Sequence, residues 1–319
     1  MDRSYVVLAS TAYAGSTMLS FLLGAHPEIS TTSEVSGTRR EHQMDGFECS
    51  CRARMVDCEF WQAVRAAMRA RGYADFELAN FGLGFDYRGP GWPSRIVMGG
   101  LPIPAFEPTR DVLVRALPGH RARMAAIADR SRAFAEVVME LTGTHAFVDA
   151  SKERMRLLHL YRLLHGSMDV RVIHLVRDVR GVVESTLRRS KKPNLTAAGA
   201  ARNWADTNAI ILRNMAALPD GQKTTVRYED LCRDPEGTMA RLYRFCGADP
   251  DIRLADVAGS PQHLLGNRMR LDGVGEISLD ERWRAALEPP QLAAIGRVAA
   301  RVHTRLYPDG DSLAVGARG

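Results

Sequence analysis

The sequence has no block of like charge, no internal repeat, no long unbroken apolar run and few cysteines. The most apolar N-terminal stretch, residues 5–25, is interrupted by Ser10, Thr11, Gly15, Ser16 and Thr17. That is too polar to cross a bilayer. It also lacks the continuous apolar centre of a signal peptide, although Arg3 precedes it and Ala12-Tyr13-Ala14 imitates a small-residue cleavage site. The stretch reads as strand, loop and helix. Five cysteines in 319 residues, an odd number, do not make a disulfide framework, so a reducing, cytoplasmic setting is expected. No membrane partner is expected. No recognised basic-aromatic module accompanies the positive charge, which argues against nucleic acid.

What is present is ordinary globular composition, 45% hydrophobic and 25% charged, with a net charge of +6. Lys and Arg recur singly along helical patterns within 121–132, 154–162 and 177–192. Such a surface is either merely solvated or a field that attracts a polyanion. Short β-rich runs alternate with helical patterns. Strands are expected at 5–9, 29–32, 146–149, 170–176 and 223–227. Helices are expected at 16–25, 62–71, 121–142, 152–164, 179–189, 195–217, 235–246, 279–287 and 290–306. The alternation predicts an α/β fold, a central parallel sheet flanked by helices. Residues 1–310 read as one domain, with 38–135 as a mainly helical insertion on the acceptor side and 311–319 as a flexible tail.

Ser10–Thr17 lies between the first strand and the first helix. A loop there turns backbone N–H groups and the positive end of a helix dipole toward one point. Gly15 allows close approach of an anion, and Ser16 and Thr17 add hydroxyl donors. An NTPase P-loop needs Lys after its last Gly, and Ser16 stands there instead. No convincing Walker-B acid is found either. The loop suits phosphate without suiting Mg-ATP; as a bare structure it is a small-residue turn that caps a helix. A second anion site is expected where the strand at 170–176 runs into Arg177, with Ser185 two turns up the next helix. A strand's carboxyl end opens into the crevice where α/β sheets bind ligands, and Arg offers a fork suited to phosphate.

With these motifs in this order the sequence resembles the PAPS-dependent sulfotransferases, their bacterial members and the tyrosylprotein branch above all. The likeness covers roughly residues 5–35 and 145–290. It implies a P-loop-like sulfotransferase fold and 3'-phosphoadenosine-5'-phosphosulfate (PAPS) as co-substrate, with adenosine 3',5'-bisphosphate as product and no metal. Ala14, Gly15, Ser16 and Thr17 match the 5'-phosphosulfate loop. Arg177 and Ser185 match the pair that holds the 3'-phosphate, and Tyr228 a Tyr that contacts the nucleotide. Lys152 matches the Lys near the transferred sulfate, and Glu34 the general base of the tyrosylprotein branch. Asn267 and Arg270, in GNRMR, resemble part of the closing C-terminal portion and are expected at the cofactor. Tyr13 departs from the pattern, standing where many members carry a cation. A small-molecule hydroxyl is the expected acceptor. The alternatives are a P-loop kinase and a non-catalytic nucleotide-binding protein of the same fold.

Three features have no part in that assignment. Cys49, Cys51 and Cys58 could hold zinc with His42, but their spacing is no standard zinc pattern, so thiols in a loop are expected. The insertion's aromatics, Phe60, Trp61, Phe76, Phe81, Phe85, Tyr87, Trp92 and Phe106, are expected to divide between an acceptor pocket and the insertion's own core. His26 and His174 read as structural, His174 as a satisfied core residue.

Overall fold

The structure is a computed structural model. It describes residues 3–36, 46–85, 118–190, 193–257, 262–266, 269–273 and 275–309, with the single positions 109, 112, 259 and 313. His42, Tyr87, Trp92, Phe106 and Asn267, and all of 311–319 but Leu313, lie outside the described residues.

Five parallel strands form one sheet in the order β2-β3-β1-β4-β5. They are β1 (Ser4–Ser10), β2 (Ile29–Ser33), β3 (Ala146–Asp149), β4 (Asp169–Val176) and β5 (Lys223–Arg227). Along β1 the side chains alternate. Tyr5 and Val7 enter one core with Val170 and Val172, while Val6 and Leu8 enter another with Ile173 and Leu175. Both faces are therefore apolar, as a sheet covered by helices requires.

The covering helices are α1 (Ser16–Gly24), α2 (Glu59–Ala70), α3 (Pro118–Thr142), α4 (Arg156–Leu164), α5 (Val179–Arg189), α6 (Ala197–Met215), α7 (Tyr228–Arg233), α8 (Pro235–Cys246) and α9 (Pro289–Leu306). α3 buries Ile127, Ser131, Phe134 and Val138, one stripe at helical spacing. No helix among the described residues is long and apolar enough to cross a membrane.

Two expected helices are shorter than their patterns. The helix expected from Lys152 begins at Arg156. Asp149 Oδ1 accepts the Ser151 N–H at 2.9 Å, and this local bond competes with helical pairing. Of the expected 279–287 helix only Trp283–Ala286 forms. There Asp280 accepts the Arg282 N–H at 3.2 Å, and Tyr228 donates to the Ser278 carbonyl at 3.2 Å. Helix α7 was not expected; Tyr228 opens it directly after β5.

Among the described residues, four of the insertion's aromatics build core. Trp61, Phe76, Phe81 and Phe85 are fully buried. Ring contacts run from Phe76 to Phe81 (5.1 Å), on to Phe134 (5.3 Å) and then to Phe147 of β3 (5.8 Å). These four are consumed in fixing the insertion to the sheet, whereas Phe60 is half-buried and lines a separate cavity with His26 and His263.

A buried charge network joins the same parts. Arg156 and Asp149 are both wholly buried and pair at 2.6 Å. Tyr5 donates to Asp149 at 2.7 Å, and Arg156 Nη1 donates to the Leu83 carbonyl at 2.6 Å. Every polar end of this pair has a partner, which is the condition for tolerating buried charge.

His26 is structural: its Nδ1 accepts from the Glu28 N–H (3.1 Å), so Nε2 donates to the Asp249 carbonyl (2.9 Å). His174 is only half satisfied. Nε2 donates to Asn208 Oδ1 at 2.8 Å, while Nδ1 has no hydrogen-bond partner among the described residues. Burial pushes its pKa down to about 4.

Asp149→Ala removes the close partner of buried Arg156 and leaves it with Glu153 at 3.8 Å, so it is expected to cost ~3–5 kcal/mol in denaturant unfolding; a loss under ~1 kcal/mol would show that the network carries no weight. Between about pH 6.5 and about 4 the folded state binds fewer protons at His174 than the unfolded chain, so acidification favours unfolding. Stability is expected to fall by up to ~1.4 kcal/mol per pH unit there, and His174→Gln should flatten that slope.

Candidate active site

The carboxyl ends of β1 and β4 lie side by side, with Ser10 in register with Leu175. The chain leaves β1 toward β2 and β3 on one side, whereas β4 and β5 lie on the other. This is the topological switch point of the sheet, where open α/β folds form their ligand crevice. The loop after β1 and Arg177 after β4 are delivered to that crevice by register alone.

One cavity of about 340 Å³ is lined by Tyr13, Gly15, Ser16, Thr17, Lys152, Arg177, Ser185, Arg189, Tyr228, Asp280 and Arg282, with Ala12 and Met18. The two expected anion clusters therefore share one crevice. Gly15 is left-handed (φ 96) and caps α1, whose first intrahelical bond is Leu19 N–H to the Gly15 carbonyl at 3.0 Å. The positive end of α1 faces the loop. No acidic residue lies in its first turn. A Cβ at Gly15 would come within 2.8 Å of the Tyr228 ring, so the residue is needed for space as well as for φ. Tyr13 also has positive φ (62), a costly conformation for a non-glycine residue.

Arg177 is 6% exposed and held on several sides. It donates to the Tyr13 carbonyl at 3.2 Å and to the Asp280 carbonyl at 2.9 Å, and pairs with the Asp280 carboxylate at 3.1 Å. Its guanidinium lies over the Tyr228 ring, 4.6 Å from the centroid. Gly181 makes room for it, since a Cβ there would meet Arg177 Nε at 2.9 Å. The local pair that Arg177 and Asp178 could form is not made. Asp178 instead caps α5 and pairs with Arg180 at 2.7 Å. Hydrogen bonding from Arg282 holds the Asp280 carboxyl far below its ordinary range, so it stays ionised beside Arg177. Burial pushes the Tyr228 phenol up to about 12, which keeps it neutral.

Lys152 and Glu34 meet in an ion pair, each about a quarter exposed. Ser151 brings them together: its Oγ accepts the N–H groups of Val35 and Ser36, both at 3.0 Å. The Ala150 N–H donates to the Ser33 carbonyl at 2.9 Å. The exits of β2 and β3 are thereby locked side by side, with a carboxylate from one against an ammonium from the other.

Seven of the residues singled out in the sequence, Gly15, Ser16, Thr17, Lys152, Arg177, Ser185 and Tyr228, line the cavity, and Glu34 touches it through Lys152. Ala14 does not line it; wholly buried, it sets the loop's path. Arg270 is not at the cavity either. It donates to the Glu48 carbonyl at 2.9 Å and stacks over Phe47 at 4.1 Å, a contact with the insertion. The sequence reading missed Arg189, Arg282 and Asp280. Arg189 stands four residues after Ser185 on α5, and that spacing could have placed it on the same helix face. Asp280 and Arg282 lie in Ile277–Trp283 (ISLDERW), which with GNRMR resembles the family's closing C-terminal portion, but that likeness gave neither residue a role. Four cations thus face the cavity against one carboxylate, although position 13 carries none.

Gly15→Ala is expected to cost ~1–3 kcal/mol in denaturant unfolding, from positive φ and the overlap with Tyr228 together. Wild-type stability in that variant would mean that the loop can repack away from the ring.

Among known proteins the chain is similar to carbohydrate sulfotransferase 4 of Mus musculus, 24% identical over 326 aligned residues that cover 89% of this chain and 76% of that protein. Among solved structures it is similar to the sulfotransferase domain of the Synechococcus olefin synthase (TM-score 0.51, 21% identity, 93% of this chain and 95% of that one). It is also similar to the sulfotransferase domain of the curacin biosynthetic pathway (TM-score 0.50, 19% identity, 94% and 97%). These two likenesses show the P-loop-like sulfotransferase fold. The sulfotransferase family matches residues 6–251, which removes the kinase alternative: this chain belongs to the sulfotransferase family.

Proposed function

We propose that the chain transfers a sulfuryl group from PAPS to a hydroxyl of a small-molecule acceptor. The observation that carries this reading is the shared cavity: the Gly15–Thr17 loop and the Arg177/Ser185 pair line one crevice, and in this reading they grip the two ends of a doubly phosphorylated nucleotide. Family membership supports the transfer, and the likeness to a carbohydrate sulfotransferase of mouse supports a hydroxyl-bearing acceptor. The free cysteines among the described residues agree with a reducing, cytoplasmic setting.

In this reading the acceptor oxygen attacks sulfur, and the bond from sulfur to the bridging oxygen breaks in line. Adenosine 3',5'-bisphosphate carries away the electron pair of that bond, and Glu34 takes the hydroxyl proton. Such a transition state spreads negative charge over oxygen atoms, so positioning and fixed positive charge do most of the catalysis. Lys152 stabilises the bridging oxygen and the sulfuryl in flight. The first turn of α1, with Ser16 and Thr17, holds the 5'-phosphate. Arg177 and Ser185 hold the 3'-phosphate, which does not react and serves to fix the donor's position. Arg189 and Arg282 supply the charge that Tyr13 does not. Tyr228 offers its ring as a wall against both Gly15 and Arg177. Asp280 keeps Arg177 in place until phosphate oxygens share the guanidinium.

Lys152→Ala is expected to lower kcat by about 10²–10⁴ while calorimetric binding of adenosine 3',5'-bisphosphate largely survives. Arg177→Ala is expected to weaken that binding by about tenfold or more, at ~1.5–3 kcal/mol per charge-assisted bond. Wild-type kinetics in both variants would defeat the assignment of roles. Tight bisphosphate binding by the wild type, with no transfer to a broad set of alcohols and phenols, would favour a non-catalytic nucleotide-binding protein.

A further inference from the structure

The insertion carries a second constellation, outside the cavity. Cys49, Cys51, Cys58 and His263 bring one ligand atom each to within 4.8 Å of one another. His263 Nδ1 lies 3.5 Å from Cys49 Sγ and 3.4 Å from Cys58 Sγ, and Cys51 Sγ lies 3.6 Å from Cys58 Sγ. A tetrahedral zinc site with bonds of about 2.3 Å to sulfur and about 2.0–2.1 Å to nitrogen has edges of about 3.8 Å between sulfurs and about 3.6 Å from sulfur to nitrogen. Three of the six separations match those edges within a few tenths of an ångström, and all six stay within 4.8 Å. Three thiols and a ring nitrogen are thus gathered around one point, and a central ion would draw the longer separations in.

The backbone is built for this convergence. The Arg52 N–H donates to the Cys49 carbonyl and the Cys49 N–H to the Ala53 carbonyl, both at 2.9 Å, in a tight knuckle that requires positive φ (72) at Arg52. Cys58 occupies the N-cap of α2 without making a side-chain cap bond. His263 comes from a segment 205 residues further on, its ring stacked on Phe60 (4.4 Å between centroids, 6° between planes). His42, the partner suggested by sequence proximity, lies outside the described residues.

We propose that Cys49, Cys51, Cys58 and His263 bind one Zn²⁺ in a closed, structural Cys₃His site. The three cysteines ligate as thiolates, giving up three protons, and His263 ligates as a neutral imidazole through Nδ1. Four protein ligands leave no open position for chemistry. The site's work is to staple the 47–58 knuckle to the 262–266 segment. The same junction carries hydrogen bonds: the Leu264 N–H donates to Ser50 Oγ at 2.7 Å, Ser50 Oγ donates to the Gln262 carbonyl, and Arg270 donates to the Glu48 carbonyl at 2.9 Å. The stapled segment continues to Glu34. Leu265 N–H donates to the Thr32 carbonyl at 2.9 Å, and a Cβ on Gly266 would lie 3.7 Å from Glu34 Oε1. Zinc would therefore fix the wall beside Glu34 from outside the crevice.

The experiment is metal analysis of the full chain, expressed in zinc-containing medium and purified with a reductant. About one zinc per chain is expected, and cobalt exchange should give the intense visible bands of a tetrahedral thiolate site. Cys51 is exposed, so Cys51→Ser should fold; it is expected to lose zinc to a competing chelator at least about tenfold more readily. Cys232→Ser, outside the cluster, should retain it. Zinc below about a tenth of an equivalent in the wild type, or unchanged zinc affinity in Cys51→Ser, would overturn the proposal. So would a Cys51–Cys58 disulfide found by mass spectrometry in the protein as purified.

Discussion

Everything at the crevice depends on the pairing of β1 with the strands on either side. β1 pairs with β3 from Ser4 to Val7 and with β4 from Ser4 to Ser10. Register in a sheet buried on both faces is tightly specified, because a slip of one residue would exchange the two cores. Here those cores differ. One takes Tyr5 with the Asp149–Arg156 network, and the other takes the wholly aliphatic pair Val6 and Leu8. The register that satisfies Tyr5 is also the one that sets the phosphate-type loop beside Arg177. A core constraint thus positions the site.

The electrostatics of the crevice follow from its crowding. Lys152, Arg177, Arg189 and Arg282 line a single cavity. Two of these cations are already partnered by Asp280, and a third by Glu34. The carboxylates keep the cations ordered without cancelling the field, since one carboxylate of Asp280 serves two guanidinium groups. An incoming dianion can share these groups and need not recruit them from solvent, which is the economy of a preorganised site. The planar guanidinium of Arg177, held over Tyr228 and against two carbonyls, has little conformational freedom left to lose on binding.

The insertion is bound to the sheet by two unlike means. On one side, aromatic rings run in continuous contact from Phe76 to Phe147, and Arg156 bonds the Leu83 carbonyl beneath them. On the other, cysteines and a histidine converge beside Phe47, Met55 and Leu265, which are buried in the same core; the proposed metal would add a cross-link between two irregular segments that already pack together. The same junction carries Arg270, which sequence likeness alone would have sent to the nucleotide.

The sheet and the loop and residues at strand ends that line the cavity were legible in the sequence because each rests on a local pattern. A short continuous β-rich run marks β1, small residues before a helix mark the loop after it, and an Arg closing a β-rich run marks the residue that β4 delivers to the crevice. The helix expected at 152–164 was overread because its apolar period continues past the residues where Asp149 and Ser151 redirect the backbone. Tertiary structure alone decided what depends on residues distant in the chain. It set Asp280 and Arg282 against Arg177, gathered Trp61, Phe76, Phe81 and Phe85 into core, and brought His263 to the cysteines. Local sequence dictates which backbone conformation is cheapest and which chemistry a side chain carries; which side chains meet is a property of how the elements pack, and no spacing along the chain encodes it.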